Sequence, residues 1–230
     1  MKILALETST DAGSVALLDG ERVVERAVVG RPGHSETLLP GIRALLEECS
    51  VSLQALDAIA FGAGPGAFTG LRLACGAAQG LALGLGKSVI PVGTLHALAA
   101  QCLAESIFVA VDARMSEVYF AAYRRQGGRL LEVQAPACAA PDQVRLPAEG
   151  HWFGCGSAFR VYRDTLLPVL APRLDGLDEM PVPMAASVAR LAGEAFLRGE
   201  MLDPALAAPL YVRDKVALTT AERLATGGKA

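Results

Sequence analysis

The sequence predicts an α/β protein built from two similar lobes, and three observations carry that prediction. ILALE (3–7) and IFVAVD (107–112) are both apolar strands that end in an acid. Each is followed by a polar turn, TSTDAG in one case and ARMS in the other. Each turn then leads into a hairpin, SVALLDGERVVERAVV (14–29) and EVYFAAYRRQGGRLLEVQ (117–134). A strand–acid–hairpin unit that occurs twice, at 3–29 and 107–134, implies two lobes related by a pseudo-twofold axis. Glu7 and Asp112 would then face one cleft. The boundary falls near 103–106, giving a first lobe of residues 1–104 and a second of residues 105–230.

The elements follow in order. KILALE (2–7) is a short apolar strand, and Asp19-Gly20 supplies the positive φ angles of the first hairpin turn. Leu38, Leu39, Ile42, Leu45 and Leu46 recur at helical spacing, so a helix runs from about 34 to 49. Pro40 deletes one backbone bond inside it, which predicts a late start or a kink. LDAIAFG (56–62) is a strand, 68–85 a helix, SVIPVG (88–93) a strand and 94–104 a further helix. The second hairpin turns at Gln126-Gly127-Gly128. Beyond it the pattern is less regular: a strand and turn at 151–158, a proline-rich stretch at 168–183, a helix at 185–198 and a polar tail after Arg213.

Composition sets outer bounds on function. Apolar residues make up 52% of 230 residues and charged residues 20%, a globular balance tilted toward burial. A net charge of −3 gives no strong field toward nucleic acid or an anionic membrane. The start, MKILALETST, is broken by Glu7 and reads as a strand, not a targeting signal. No apolar run reaches the roughly 20 residues of a membrane crossing. Five cysteines, at 49, 75, 102, 138 and 155, are odd in number and free of any CxxC pair. They predict reduced thiols in a cytoplasmic protein.

The motifs that suggest chemistry each lack a part. GLGKS (84–88) resembles the end of a Walker A loop, but the first glycine is missing and the order is helix then strand. The loop Gly62-Ala63-Gly64-Pro65-Gly66 does lie between a strand and a helix, yet Pro65 removes an amide that a phosphate would need. TSTDAGS and DARMS could act as paired phosphate loops, with Gly154 and Gly156 of GCGS near an adenine; the first loop holds no cation. Glu7, Asp11, Asp112 and Glu117 could gather as a two-magnesium centre. Only Glu7 and Asp112 follow from the repeat. His34, His96 and His151 stand apart, with no HxxxH pair and no cysteine at ligand spacing, and GCGSA is not a nucleophile elbow. These gaps predict a chain without metal, cofactor or catalytic residue of its own.

The helix 68–85 is the most informative stretch. Glycine inside a helix costs about 0.5–1 kcal/mol relative to alanine. Gly76, Gly80 and Gly84 nevertheless lie four apart on one stripe, with Arg72 as the helix's one charge. Such a stripe suits the close approach of another helix. That helix could be the 34–49 helix of the same lobe, or it could belong to a second protein. The residues alone leave both readings open.

Several segments in order resemble the TsaB (YeaZ) family: ILALETST…SVALL (3–18), HSETLLP (34–40), GPGAFTGLRL (64–73), VDARMSEVY (111–119), GCGSA (154–158) and PLYVRDKVA (209–217). They span nearly the whole chain. The resemblance implies a two-lobe actin-like, ribonuclease-H-like fold with a degenerate ATPase site. It implies a non-catalytic, activating role in tRNA N6-threonylcarbamoyladenosine synthesis, with tRNA met only through the complex. The implied partners are a TsaD-type catalytic subunit and a TsaE-type ATPase, with a homodimer when the chain is isolated. The positions it assigns to that interface are His34, Ser35, Leu38, Leu39, Ile42, Thr69, Gly70, Arg72, Leu73, Gly76 and Gly80. Glu7 departs from the aspartate usual in the family. The alternative readings are a working actin-fold ATPase or kinase and, more remotely, a glycoprotease-type peptidase.

Overall fold

The computed structural model describes residues 1–29 and 33–213; the side chains of Val29 and His34, and the tail after Arg213, lie outside the described residues. Two five-stranded sheets form the frame. The first contains β1 (Lys2–Glu7), β2 (Ala12–Asp19), β3 (Arg22–Val29), β4 (Ala58–Gly64) and β5 (Ser88–Gly93), in the order β3-β2-β1-β4-β5. The second contains β6 (Ser106–Asp112), β7 (Val118–Gln126), β8 (Arg129–Ala139), β9 (Trp152–Cys155) and β10 (Leu174–Asp178), in the order β8-β7-β6-β9-β10. Renumbering by five maps one order onto the other. In each, the first three strands are antiparallel and the last two run parallel to the first. The repeat seen at strand level is therefore a repeat of the whole sheet, and the molecule has the two-lobe actin-like fold.

The central strands are continuous apolar runs because both faces of each sheet are covered. On one face of the first sheet Leu4, Leu6, Val15, Leu17, Ile59 and Phe61 pack under α1 (His34–Glu48) and α2 (Phe68–Leu85). On the other, Ile3, Ala5, Ala16 and Ala60 meet α6 (Ala185–Leu197). In the second sheet Phe108, Phe120 and Trp152 pack against the short helices α4 (Ala158–Val161) and α5 (Arg163–Leu170). Its opposite face meets α3 (Thr94–Ala99), whose Leu95 and Leu98 lie on Ile107, Val109 and Tyr123. Ala97, which points to another side of α3, packs into the first lobe's core. One short helix thus seams the two sheets together.

Of the two outcomes expected at Pro40, the late start is excluded, since α1 starts at His34 with Pro40 inside it. Two other expectations meet a different structure. The proline-rich stretch 168–183 contains the edge strand β10, paired in parallel with β9. Helix α6, within the range 105–230 assigned to the second lobe, packs on β1, β2, β4 and β5 of the first. Its Gly193 lets Leu18 and Met1 approach the helix backbone.

Candidate functional site

Helix α2 owes its position to a close approach at its first turn. A Cβ at Gly70 would overlap the Thr8 carbonyl oxygen, so only glycine lets this turn rest on the β1–β2 loop. Thr8 Oγ1 donates to the Gly70 carbonyl at 2.7 Å, fixing the contact. The helix ends where Gly86 takes a left-handed conformation, φ 64°, and caps the last carbonyls. Between these ends Leu71, Ala74, Cys75, Ala78 and Ala82 are buried on the sheet.

The opposite face is open. Gly76, Gly80 and Gly84 are exposed, and a Cβ at any of them would meet no atom of the described residues within 4 Å. The stripe does not pack against α1. An apolar groove of about 540 Å³ is lined by Leu39, Ile42 and Leu46 of α1, Val51 and Leu53 of the turn after α1, and Leu81 of α2, with Arg43 and Glu47 also on its lining. Leu39 is 57% exposed and Leu83 58%.

The sequence-derived interface residues divide accordingly. Ser35, Leu39, Thr69, Arg72, Gly76 and Gly80 are exposed and Leu73 is half-buried on the same side of the lobe. Leu38 and Ile42 belong to the core at 1% and 4% exposure, and Gly70 is closed against Thr8. Those three shape the face from beneath. The residues that sequence reasoning missed are the groove's far wall, Leu46, Val51 and Leu53. Helical spacing marked Leu46 as apolar without saying that it borders a gap.

The cleft between the lobes has about 480 Å³ of space. Its lining includes Ser9, Thr10 and Asp11 from the first lobe and Asp112, Arg114, Ser157 and Arg160 from the second. Asp112 Oδ1 accepts from the Tyr162 hydroxyl at 2.8 Å and the Arg114 amide at 2.9 Å. Burial, and then the bond to Asp112, raises the pKa of the Tyr162 hydroxyl and keeps it a donor.

Of the four cleft candidates Glu7, Asp112, Gly154 and Gly156, only Asp112 lines this space. Glu7 is fully buried behind it, its Oε1 accepting from the Ser9 amide at 2.6 Å, and a Cβ at Gly62 would overlap its carboxylate. The expectation that Glu7 and Asp112 face one cleft is thus corrected: the loop of Ser9 covers Glu7. Gly154 packs on Leu177 and Phe159, and Gly156 lies against the Ala110 carbonyl. Both serve the fold of β9 and α4. Among the described residues no group of three or more His, Cys, Asp or Glu side chains is placed to hold a metal ion. No described helix is long and apolar enough to cross a membrane.

Two sheets of one topology, seamed by a shared helix around a cleft, define a two-lobe protein of the actin-like fold. The chain belongs to the TsaB (YeaZ) family of tRNA threonylcarbamoyladenosine biosynthesis proteins. It is 33% identical to the TsaB protein of Escherichia coli K12, covering 94% of this chain and 96% of that one. It is 34% identical to TsaB of Haemophilus influenzae, at 94% and 95% coverage. The family model described as "TsaD: tRNA N6-adenosine threonylcarbamoyltransferase" matches residues 29–154. Among solved structures, a Pseudomonas aeruginosa protein described as similar to the peptidase YeaZ superposes with a TM-score of 0.85. It shares 41% identity over 92% of this chain and 99% of its own. The structure titled YeaZ from Pseudomonas aeruginosa gives 0.81 at 40% identity, covering 91% of this chain and 99% of that one.

Proposed function

We propose that the chain is a non-catalytic, activating subunit for tRNA N6-threonylcarbamoyladenosine formation, working in the cytoplasm. Its α1–α2 face docks a TsaD-type catalytic subunit, and the assembly recruits a TsaE-type ATPase and meets tRNA through those partners. In isolation the same face pairs two copies of the chain. One observation carries the reading: α2 carries three exposed glycines and also lends Leu81 to an apolar groove, so a partner helix can approach the α2 backbone and reach into the groove together. The test is co-purification with a TsaD-type subunit, wild type against Gly80→Leu. Retained binding by a folded Gly80→Leu chain defeats the proposal.

The non-catalytic role draws support from the cleft. Its first-lobe loop offers Ser9, Thr10 and Asp11, with an acid where a phosphate would want a cation. Asp112 is already engaged by Tyr162 and Arg114. One observation favours the ATPase or kinase reading instead. The buried hydroxyls of Ser9 and Thr94, both at the cleft, have no hydrogen-bond partner among the described residues. Nucleotide titration and turnover on the isolated chain decide between them. Turnover that disappears in Asp112→Ala would establish the enzyme.

A further inference from the structure

The segment after α6 follows a path that joins the lobes. Leu202 pairs with Val89 at the edge of β5, its amide 2.9 Å from the Val89 carbonyl. The chain then crosses α2, where Gln79 Nε2 donates to the Pro204 carbonyl at 2.8 Å. The Leu210 amide donates to the Ala63 carbonyl at 2.7 Å, at the end of β4. Tyr211 lies beside Phe68, ring centroids 5.8 Å apart, and its hydroxyl accepts from Arg72 Nε at 3.0 Å. All of these anchors are in the first lobe.

Two residues later the chain is held by the second. Arg213 pairs with Glu117 at 2.6 Å and donates to the carbonyls of Ala113 and Arg114 at 2.9 and 3.3 Å. Its guanidinium also sits 5.5 Å from the centroid of the Tyr119 ring. The Arg213 side chain is 13% exposed, unlike an ordinary surface ion pair. All three contacts converge on one guanidinium nitrogen, Nη2, so the anchor is a point charge set among a carboxylate and two carbonyls of one turn.

We propose that Leu210–Arg213 is a latch that spans the mouth of the interlobe cleft and fixes the two lobes relative to one another. The mechanical reason is the shortness of the span. Two residues reach at most about 7 Å when extended, so the lobes cannot part while Tyr211 and Arg213 both hold. The permanent connections are α3, whose Thr94 and Leu98 line the same cleft, and the 179–184 segment, which returns from β10 to α6 and lines it with Pro181, Val182 and Pro183. Opening therefore requires release of one anchor, and the second-lobe anchor is a single side chain. The latch stands independently of which partner binds α2.

Hydrogen exchange on the full chain tests it. Two windows are read, 63–72 in the first lobe and 113–119 in the second. A latch acting as one unit makes Arg213→Ala and Tyr211→Ala each raise exchange about tenfold in both windows. Exchange within the central strands of both sheets stays at the wild-type rate. Arg213→Lys, which keeps the charge on a shorter side chain, gives an intermediate rise. Should either alanine variant fail to fold, Arg213→Lys and Tyr211→Phe carry the same comparison. Acceleration confined to the window next to the substituted residue, or none at all, overturns the latch and leaves two separate local contacts.

Discussion

The two lobes share one strand order and differ in what connects the strands. In the first, the hairpin is followed by the 15-residue α1 and the step from β4 to β5 is made by the 18-residue α2. In the second, the corresponding places hold a 3-10 turn at Pro141–Gln143 and the short pair α4 and α5, of four and eight residues. The sheets need the same cover in both cases. Short helices provide just that cover, whereas long ones provide it and leave a second face outside. The outer face of α1 and α2 carries exposed Leu39 and Leu83 and three mid-helix glycines whose Cβ would meet no described atom. The lobes are alike where they fold and unlike where one of them can be touched.

The comparison is broken most sharply at the glycines that hold the fold in both lobes. Gly70 closes on the Thr8 carbonyl in the first lobe, and Gly156, at φ 126°, closes on the Ala110 carbonyl in the second. Alanine at either site must push backbone against backbone. Gly70→Ala and Gly156→Ala are each expected to cost about 3 kcal/mol or more, read as chemical denaturation midpoints. Equal losses support equivalent roles for the two close approaches. A neutral Gly156→Ala would show that the second lobe gives way where the first does not.

Gly80 sits on the same helix as Gly70 and is expected to behave in the opposite way. Gly80→Leu adds helix propensity, and a Cβ there meets no atom of the described residues. Its melting temperature should hold or rise. Affinity for a TsaD-type subunit should fall roughly tenfold to a hundredfold, the equivalent of about 1–3 kcal/mol of overpacking. Lowered stability with unchanged affinity would return the stripe to the interior. A smaller effect is expected at the groove, where Leu39→Glu places a charge on an apolar wall. Self-association followed by sedimentation should weaken about tenfold. A wild-type chain that is monomeric at every concentration would remove the basis for this face as a dimer surface.

Much of this contrast is legible in the sequence. Strands β1 and β6 are visible because each is a continuous apolar run ending in an acid, and the hairpins because Asp19-Gly20 and Gly127-Gly128 mark their turns. Helix α2 shows its glycine stripe directly, although whether the stripe faced a neighbour or solvent needed coordinates. The second lobe's crossover is not legible. Pro168 and Pro172 hide the end of α5 and the turn after it, and Gly176 hides β10 within a stretch that reads as irregular. The return of α6 to the first sheet has no local signal, since its apolar spacing fits either lobe. The cover over Glu7 is equally invisible, because a strand-end acid reads the same whether a loop lies over it or not.

The smallest effect expected lies at the seam between the lobes. His96 projects from α3 onto the second sheet, stacked on Tyr123 with ring centroids 4.9 Å apart. Its Nε2 is 3.1 Å from the Leu130 carbonyl, so the neutral tautomer that protonates Nε2 donates there. Burial, outweighing that bond and aided by the charge of Arg198, lowers the pKa of His96 below its ordinary 6.5. The unfolded chain therefore binds a proton at a higher pH than the folded one. Stability contributed by the neutral ring is complete above 6.5, declines as pH falls through 6.5 and levels off below the folded value. His96→Phe keeps the ring and removes the titration, so its denaturation midpoint should lose the part of the wild-type decline that begins near 6.5. The wild-type decline should also be matched by faster exchange on both sides of α3, because the helix belongs to both cores. Decline confined to β7 and β8 would make His96 a local feature of the second lobe and α3 a poorer seam than its packing indicates.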